Sequence, residues 1–149
     1  MANETNIGNQ ITYFEPPDII VLKLHGTVTW EEGSEINRRH REWGKAVDRV
    51  FFLIDLAELD RIDPEVRKDA TTTLATVPLR GMVGYSAPIK AKVIAKLIFT
   101  ALNLFSNKAD RIPLHFTPTE AEARAWIEER RRELDAAGAQ PAPGAAHGN

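Results

Sequence analysis

One segment near the middle of the sequence constrains the fold more than any other. The stretch Val50-Phe-Phe-Leu-Ile-Asp-Leu56 contains a single polar residue and shows no alternation of apolar and polar positions. A strand with two apolar faces is covered on both of them, so we predict the central strand of a sheet with helices above and below it. The polar link that follows ends in Asp63-Pro64, where Asp63 suits an N-cap and Pro64 suits the first residue of a helix.

The rest of the chain supplies strands and helices in a regular order. Apolar segments at 11–14 and 19–24 flank a turn sequence rich in proline and predict an antiparallel hairpin, whose second strand ends at Gly26. Periodicity predicts helices over 29–45, 64–76, 88–105 and 117–135, with short strands over 82–85 and 112–116 between them. Pro113 indicates that the last strand lies at a sheet edge. The order β-β-α-β-α-β-α-β-α therefore predicts an α/β fold with a mixed sheet of about five strands, the hairpin followed by parallel strands.

Two helix starts match the capping-box pattern, in which a hydroxyl residue is followed three positions later by an acid. The pairs are Thr29 with Glu32 and Thr117 with Glu120. The hydroxyl accepts a backbone hydrogen bond from the first turn, so we expect Thr29 and Thr117 to be the N-caps of the first and last helices.

The chain divides into one domain and two tails. Residues 1–9 are polar and are predicted to be loose, and residues 10–135 form the domain. Residues 136–149 consist mainly of Ala, Gly and Pro, with little to bury, so we predict a disordered tail.

Composition excludes several classes of function. The 149 residues, 43% hydrophobic and 27% charged, fit one soluble domain with a net charge of -2, which gives no general attraction for nucleic acid. The absence of cysteine excludes thiolate chemistry and disulfides and favours a cytoplasmic location. We find no signal peptide, no membrane span and no glycine-rich phosphate loop, so we predict no cofactor.

Two segments carry a resemblance to a known family. The first segment is Asp55-Leu-Ala-Glu-Leu-Asp-Arg-Ile-Asp63, which is similar to the end of a strand, the loop and the helix start of that family. The second is Phe116-Thr-Pro-Thr-Glu-Ala-Glu-Ala-Arg-Ala-Trp-Ile127, which is similar to the family's closing strand and helix. Both resemble the STAS superfamily (sulphate transporter and anti-sigma-factor antagonist), and within it the SpoIIAA-like, or STAS/SEC14-like, group of small bacterial proteins. The likeness covers about residues 10–134.

The resemblance implies a function without catalysis. It implies a bacterial, cytoplasmic regulatory module that binds a protein partner or forms a homodimer, related in fold to anti-sigma factor antagonists. The SEC14-like side of the group implies an alternative, a binder or carrier of a lipid or a small apolar ligand.

One position departs from the family pattern. In antagonists of anti-sigma factors, a phosphorylatable serine directly follows the aspartate that matches Asp63, whereas this chain has Pro64 there and then Glu65. Proline has no hydroxyl, so we predict that the usual phosphorylation switch is absent. The permanent charge of Asp63 and Glu65 allows a constitutive binding surface, although a simple helix cap is the favoured interpretation.

Acidic residues cluster at the carboxyl end of the central strand. The cluster comprises Asp55, Glu58, Asp60, Asp63 and Glu65. Because open α/β sheets bind ligands at this end, we regard Asp55, Asp60, Asp63 and Glu65 as candidate binding residues for a basic partner or a cation. A solvated loop is the favoured alternative, and no two histidines stand at ligand spacing, so we predict no metal site.

The third helix is apolar over about half of its surface on a helical wheel. The predicted apolar half consists of Val93, Ile94, Leu97, Ile98, Ala101, Leu102, Leu104 and Phe105. Lys92, Lys96 and Phe99 fall on the opposite side, and we therefore expect Phe99 to be exposed or covered by another molecule. Deep burial, a homodimer contact, and contact with lipid or a partner are the three outcomes for this helix, with basic neighbours that suit an anionic surface.

One segment resembles a catalytic motif. Gly84-Tyr-Ser-Ala-Pro88 lies between a strand and a helix like a nucleophile elbow, and His115 is a candidate base for Ser86. The motif requires glycine two residues after the serine, but Pro88 stands there. We therefore interpret Ser86 as a cap and predict that the protein is not an enzyme.

Overall fold

Strands and helices alternate through the described part of the chain. The computed structural model describes residues 4–104 and 111–139. The strands there are β1 (Thr5–Ile7), β2 (Gln10–Glu15), β3 (Ile19–Val28), β4 (Val50–Ile62), β5 (Leu79–Tyr85) and β6 (Leu114–Thr117). The helices are α1 (Trp30–Lys45), α2 (Pro64–Thr76), α3 (Ile89–Asn103) and α4 (Glu120–Ala139).

The strands form one sheet in the order in which they occur along the chain, β1-β2-β3-β4-β5-β6. β1, β2 and β3 pair antiparallel, and β3, β4, β5 and β6 pair parallel. Each parallel crossover adds the next strand on the same side, so α1, α2 and α3 share one face of the sheet. α4 covers the other face. The predicted mixed α/β fold is confirmed, as is the edge position of β6, with six strands instead of about five.

β4 is covered on both faces, as its sequence predicted. Phe52 and Ile54 pack into the core beneath α1, α2 and α3, whereas Phe51 and Leu53 pack against α4. The alternation follows from the pleat of the strand, which turns successive side chains to opposite faces. None of these four side chains is more than 8% exposed.

β3 and β4 extend further than predicted. The expected loop after Leu56 is a continuation of β4, and it pairs with a continuation of β3 through Gly26–Leu59 and Val28–Ile62. Register shifts interrupt this ladder, and Gly26 takes the positive φ of +62° that a bulge requires. The sequence did not indicate this ribbon, because it is mostly polar and exposed, with Val28 and Leu59 as its two buried apolar residues.

The domain ends also differ from the prediction. Residues 5–7, expected to be loose, form β1 against β2, and α4 continues to Ala139 instead of ending at 135. The N-cap of α4 is Thr119, two residues after Thr117, and its hydroxyl accepts a hydrogen bond from the Glu122 amide at 3.2 Å. Residues 1–3, Phe105 and residues 140–149 lie outside the described residues, so the disorder of the tail stays a prediction.

A buried carboxylate ties three separated parts of the chain together. Asp18, in the turn between β2 and β3, is 3% exposed and accepts hydrogen bonds from the Nε atoms of Arg49 and Arg131, at 3.1 and 3.2 Å. Both guanidinium groups lie over the ring of Phe51, at 5.8 and 5.9 Å from its centre. Arginine suits this position because its planar fork both pairs with carboxylate and stacks on an aromatic face. The hairpin, the α1–β4 connection and α4 are thereby joined.

We predict that Phe52→Ala lowers the free energy of unfolding by about 3–5 kcal/mol, the usual loss for a core aromatic residue. Phe52 is 2% exposed between β4 and the helices. Urea denaturation of both proteins measures the change. Val93→Ala, at a half-exposed site, is the control and should stay within about 0.5 kcal/mol of wild type. A Phe52→Ala variant that unfolds at the wild-type urea concentration would contradict the role assigned to β4.

Candidate functional site

α3 presents apolar side chains on both its inner and its outer side. Its inner side packs on the sheet through Ala91, Ile94, Ile98, Phe99 and Leu102. Four large apolar residues on its outer side are instead exposed, and we call them the outer stripe: Ile89 (81% exposed), Val93 (50%), Leu97 (53%) and Leu104 (64%). The first three recur every four residues and therefore share one helix face.

The predicted orientation of α3 is wrong. Phe99, expected at the surface, is 5% exposed and belongs to the core of its own domain, whereas Val93 and Leu97 point outward. Two polar residues on the side of the helical wheel that was expected to face solvent, Asn103 and Lys92, instead contact other parts of the domain. Asn103 hydrogen-bonds both backbone groups of Ile112, and Lys92 lies 5.8 Å from the ring centre of Phe116. Because large apolar residues occur on both the inner and the outer side of α3, hydrophobicity alone could not select its buried side.

The acidic residues form separate local contacts. Asp60 pairs with Lys90 of α3, and Asp63 pairs with Arg61 at 3.4 Å. The carboxylate of Asp55 accepts a hydrogen bond from the backbone amide of Ala57 at 3.0 Å, and Glu65 is exposed in the first turn of α2. Within residues 4–104 and 111–139, no three acidic or histidine side chains are grouped so that they could hold a metal ion. Lys90 of α3 thus already neutralises one member of the acidic cluster, while Lys96 remains exposed.

The start of α2 has the predicted residues in the predicted places. Asp63 occupies the N-cap position and Pro64 the first turn, but the Asp63 side chain makes no capping hydrogen bond. Its carbonyl accepts from the amides of Val66 and Arg67 instead. No hydroxyl is therefore present where the resemblance would place a phosphorylatable serine.

Ser86 has the backbone strain of a nucleophile elbow without the partners of one. It adopts a φ of +55° between β5 and α3, and its hydroxyl donates a hydrogen bond to the carbonyl of Pro118 at 3.1 Å. His115 stacks its ring on Trp126 instead, with 5.4 Å between ring centres. Ser86 thus joins the start of α3 to the β6–α4 connection.

An apolar cavity lies between the sheet and the helices α1, α2 and α3; we call it the inner cavity. Its volume is about 90 Å³, and its walls are almost wholly aliphatic and aromatic. Three alanines in its walls, Ala70, Ala91 and Ala95, leave the space open. The hydrophobic pattern did not indicate this cavity, although the alanines at inward positions of α2 and α3 were a signal that the core has room there.

The polar residues in the wall of the inner cavity lie on α1 and α2. They are Asn37, His40 and Thr73. Thr12 donates its hydroxyl hydrogen to the carbonyl of Val21 at 2.7 Å, so the Nε2 of His40, 2.9 Å away, must donate to the Thr12 oxygen. Burial, reinforced by the positive charge of Arg41, lowers the pKa of His40 to about 3 and keeps the ring neutral.

A second depression, open to solvent, lies between α2 and α3; we call it the outer groove. It has a volume of about 370 Å³ and is formed by Arg67, Lys68, Thr71 and Thr72 of α2 and Leu97, Ile98 and Ala101 of α3. Ile98 also lines the inner cavity, so its side chain separates the two spaces. The sequence did not indicate the groove, because it depends on how two helices meet.

Two solved structures share this architecture. The first is the anti-sigma factor antagonist SpoIIAA in its unphosphorylated form, with a TM-score of 0.51 and 14% identity over 86% of this chain and 98% of SpoIIAA. The second is an uncharacterized protein from the DUF3478 family with a SpoIIAA-like fold, from Shewanella loihica PV-4, with a TM-score of 0.55 and 12% identity over 85% of this chain and 91% of that one. The chain has a SpoIIAA-like, STAS-type fold. No protein-family model and no curated protein matches the sequence.

The STAS-type fold agrees with the resemblance seen in the two sequence segments. Asp55–Asp63 lies in the second half of β4 and the start of α2, and the segment 116–127 runs from β6 into α4, as expected. At 12–14% identity the likeness is one of fold. In the part of the chain that the structure describes, no helix is both long enough and apolar enough to cross a bilayer.

We predict that His40 makes the stability of the protein depend on pH. The folded pKa of about 3 lies below the unfolded value near 6.5, so the unfolded chain binds a proton first as the pH falls. The contribution of the neutral ring is complete above pH 7 and declines below the unfolded pKa, by about 2–3 kcal/mol at pH 4.5.

Urea denaturation of wild type and His40→Gln at both pH values isolates this effect from the titration of carboxylates. His40→Gln should gain about 2–3 kcal/mol relative to wild type between pH 7 and 4.5. His115→Gln, which removes a histidine from the surface, is the control. A constant difference between wild type and His40→Gln would contradict the assignment of His40 as a neutral buried ring.

Proposed function

We propose that the protein is a non-enzymatic interaction module of the STAS type that binds a protein partner through the outer stripe of α3. The observation that carries the proposal is the exposure of Ile89, Val93, Leu97 and Leu104 along one side of one helix. Single exposed apolar residues are common, but an aligned set is typical of a contact surface. The absence of cysteine from the sequence supports a cytoplasmic location.

The proposal includes a surface without the usual phosphorylation switch. Pro64 stands at the first position of α2, so the charge there is the constant charge of Asp63 and Glu65. The nearest hydroxyls on α2 are those of Thr71, Thr72 and Thr73, of which Thr73 is buried. Binding would therefore be controlled by the amount of partner.

Charged residues beside the outer stripe would select the partner. Lys96 is exposed on α3, and the Asp60–Lys90 pair lies at the helix start. We assign Lys92, Lys96, Asp60, Asp63 and Glu65 to the polar surroundings of the contact, where charges affect association rate and specificity more than affinity. Asp55 belongs to the face of β4 that packs toward Tyr85 and α4, so it takes no part in this contact. Phe99 acts only as part of the core that holds α3.

We predict that Leu97→Glu leaves the domain folded and abolishes partner binding. Leu97 is half exposed, so a carboxylate there stays in water in the free protein but would be buried unpaired in the complex. The measurements are copurification of partners from the native host, sedimentation velocity at matched concentrations, and flotation with anionic liposomes.

Ala125→Glu is the matched control, because it adds the same charge to an exposed site on α4, across the sheet. A stoichiometric host protein that Leu97→Glu loses and Ala125→Glu keeps would support the proposal. A lower sedimentation coefficient of Leu97→Glu alone would indicate a homodimer instead, and selective loss of flotation would indicate a membrane contact. Identical behaviour of all three proteins would remove α3 as an interaction surface.

A second candidate function is the binding of a small apolar ligand, and the inner cavity is the observation that favours it. A cavity of about 150 Å³ in a different protein core stays dry and binds benzene. The inner cavity, at about 90 Å³, is smaller and has room for the end of an alkyl chain. Its aliphatic lining offers such a chain favourable burial, at roughly 25 cal/mol per Å².

We predict that Ala95→Leu reduces ligand retention, because Ala95 lines the inner cavity and a larger side chain would fill it. Native mass spectrometry of wild type and variant, purified from the native host, compares the fraction of protein that carries a bound small molecule. Ala125→Leu, at the surface of α4, is the control. Wild-type protein without any bound molecule would argue against this function.

A further inference from the structure

The inner cavity and the outer groove differ in chemistry but adjoin at one side chain. The inner cavity is apolar and partly open, whereas the outer groove combines the apolar Leu97, Ile98 and Ala101 with the basic Arg67 and Lys68. Ile98 contributes to both walls. A molecule that occupied both spaces would therefore have an apolar end inside and a polar end outside.

Arg67 carries an unsatisfied donor in the wall of the outer groove. Its Nε is buried and has no hydrogen-bond partner among the described residues. A buried donor on a charged group is costly to leave unpaired, so native proteins rarely do so. The rest of the Arg67 side chain lines the groove and is partly exposed, so an acceptor in the groove would satisfy the Nε once the guanidinium turned toward it.

The other polar groups of the outer groove indicate the charge of that acceptor. Thr71 and Thr72 donate their hydroxyl hydrogens to the carbonyls of Arg67 and Lys68, at 3.0 and 3.3 Å, so neither hydroxyl is free to donate. Neither Arg67 nor Lys68 forms an ion pair with a residue in 4–104 or 111–139, and no acidic side chain lines the groove. The groove therefore presents two cations without a countercharge from its own walls.

We propose that the outer groove binds the anionic head of a single-chain amphiphile, a carboxylate or a phosphate, whose alkyl chain passes Ile98 into the inner cavity. Arg67 supplies the directed hydrogen bonds to the head, and Lys68 adds charge. The chain lies along Leu97 and Ala101 before it enters the cavity. This inference rests on the second candidate function and names its ligand class.

The sizes of the two spaces agree with one chain and one head. The inner cavity of about 90 Å³ admits only a few methylene groups, and the outer groove of about 370 Å³ holds the remaining chain and the head. A neutral apolar ligand would leave the Nε of Arg67 unpaired. An acidic peptide would pair with Arg67 but would gain little from the inner cavity.

The test is isothermal titration calorimetry of the full chain with decanoate, decyl phosphate, 1-decanol and inorganic phosphate. We expect one molecule of decanoate or decyl phosphate to bind at least about ten-fold more tightly than decanol, since hydrogen bonds to a charged group exceed those to a neutral one by about this factor. Arg67→Met keeps much of the aliphatic stem but loses the donors, and it should reduce both anions to the affinity of decanol. Lys45→Met, which removes an exposed charge on α1, is the control and should bind as wild type.

The outcomes separate this inference from the function on which it rests. Equal affinities for decanol and decanoate that Arg67→Met does not change would overturn the anionic site and leave an apolar-ligand function intact. If none of the three decyl compounds bound, both the anionic site and the apolar-ligand function would be overturned. Binding of inorganic phosphate as tight as that of decyl phosphate would overturn the amphiphile, because the chain would then add nothing. Whichever of decanoate and decyl phosphate binds more tightly identifies the head group.

Discussion

The burial of β4 on both faces is the constraint on which the rest of the structure depends. Its side chains alternate between two cores, and β3 and β5 pair with its two edges. A strand of this kind requires helices on both sides, which α1, α2 and α3 provide on one face and α4 on the other. The position of α3, and with it the outer stripe, the outer groove and the inner cavity, follows from that requirement.

The arrangement of helices explains why the candidate sites lie on one face of the sheet. Three helices share the face that α4 does not cover, and contacts between them depend on small residues such as Gly33, where a Cβ would come within 2.3 Å of Val66. At Ala91 and Ala95, no larger side chain fills the space that the small residue leaves, and the inner cavity remains there. One side of α3 has no neighbouring helix. Apolar side chains are therefore exposed on the outer side of α3, while the core beneath the helix contains a cavity.

The sequence predicted those features that depend on local periodicity and failed on those that depend on the choice between similar surfaces. The two faces of β4, the hairpin, the order of elements after β1 and the residue at which α2 begins were confirmed, since each rests on residues that are close in sequence. The side-chain cap expected from Asp63 was not found. The orientation of α3 was wrong because Phe99 and Leu97 are both strongly apolar. The contacts of Asn103 with Ile112 and of Lys92 with Phe116 accompany the observed orientation, and the helical wheel could not anticipate them. The outer groove could not be predicted, because Arg67 and Ile98 belong to helices that meet only in the folded chain.

The arrangement of the sheet has a consequence for synthesis of the protein on the ribosome. Strands β1 to β6 are added in chain order, and α1, α2 and α3 cover their face as the chain emerges. The opposite face, with Phe51, Leu53 and Val83, is covered only by Ala123 and Ile127 of α4, which are translated after all six strands. Until then a nearly complete sheet exposes one apolar face, a state that favours aggregation or chaperone binding.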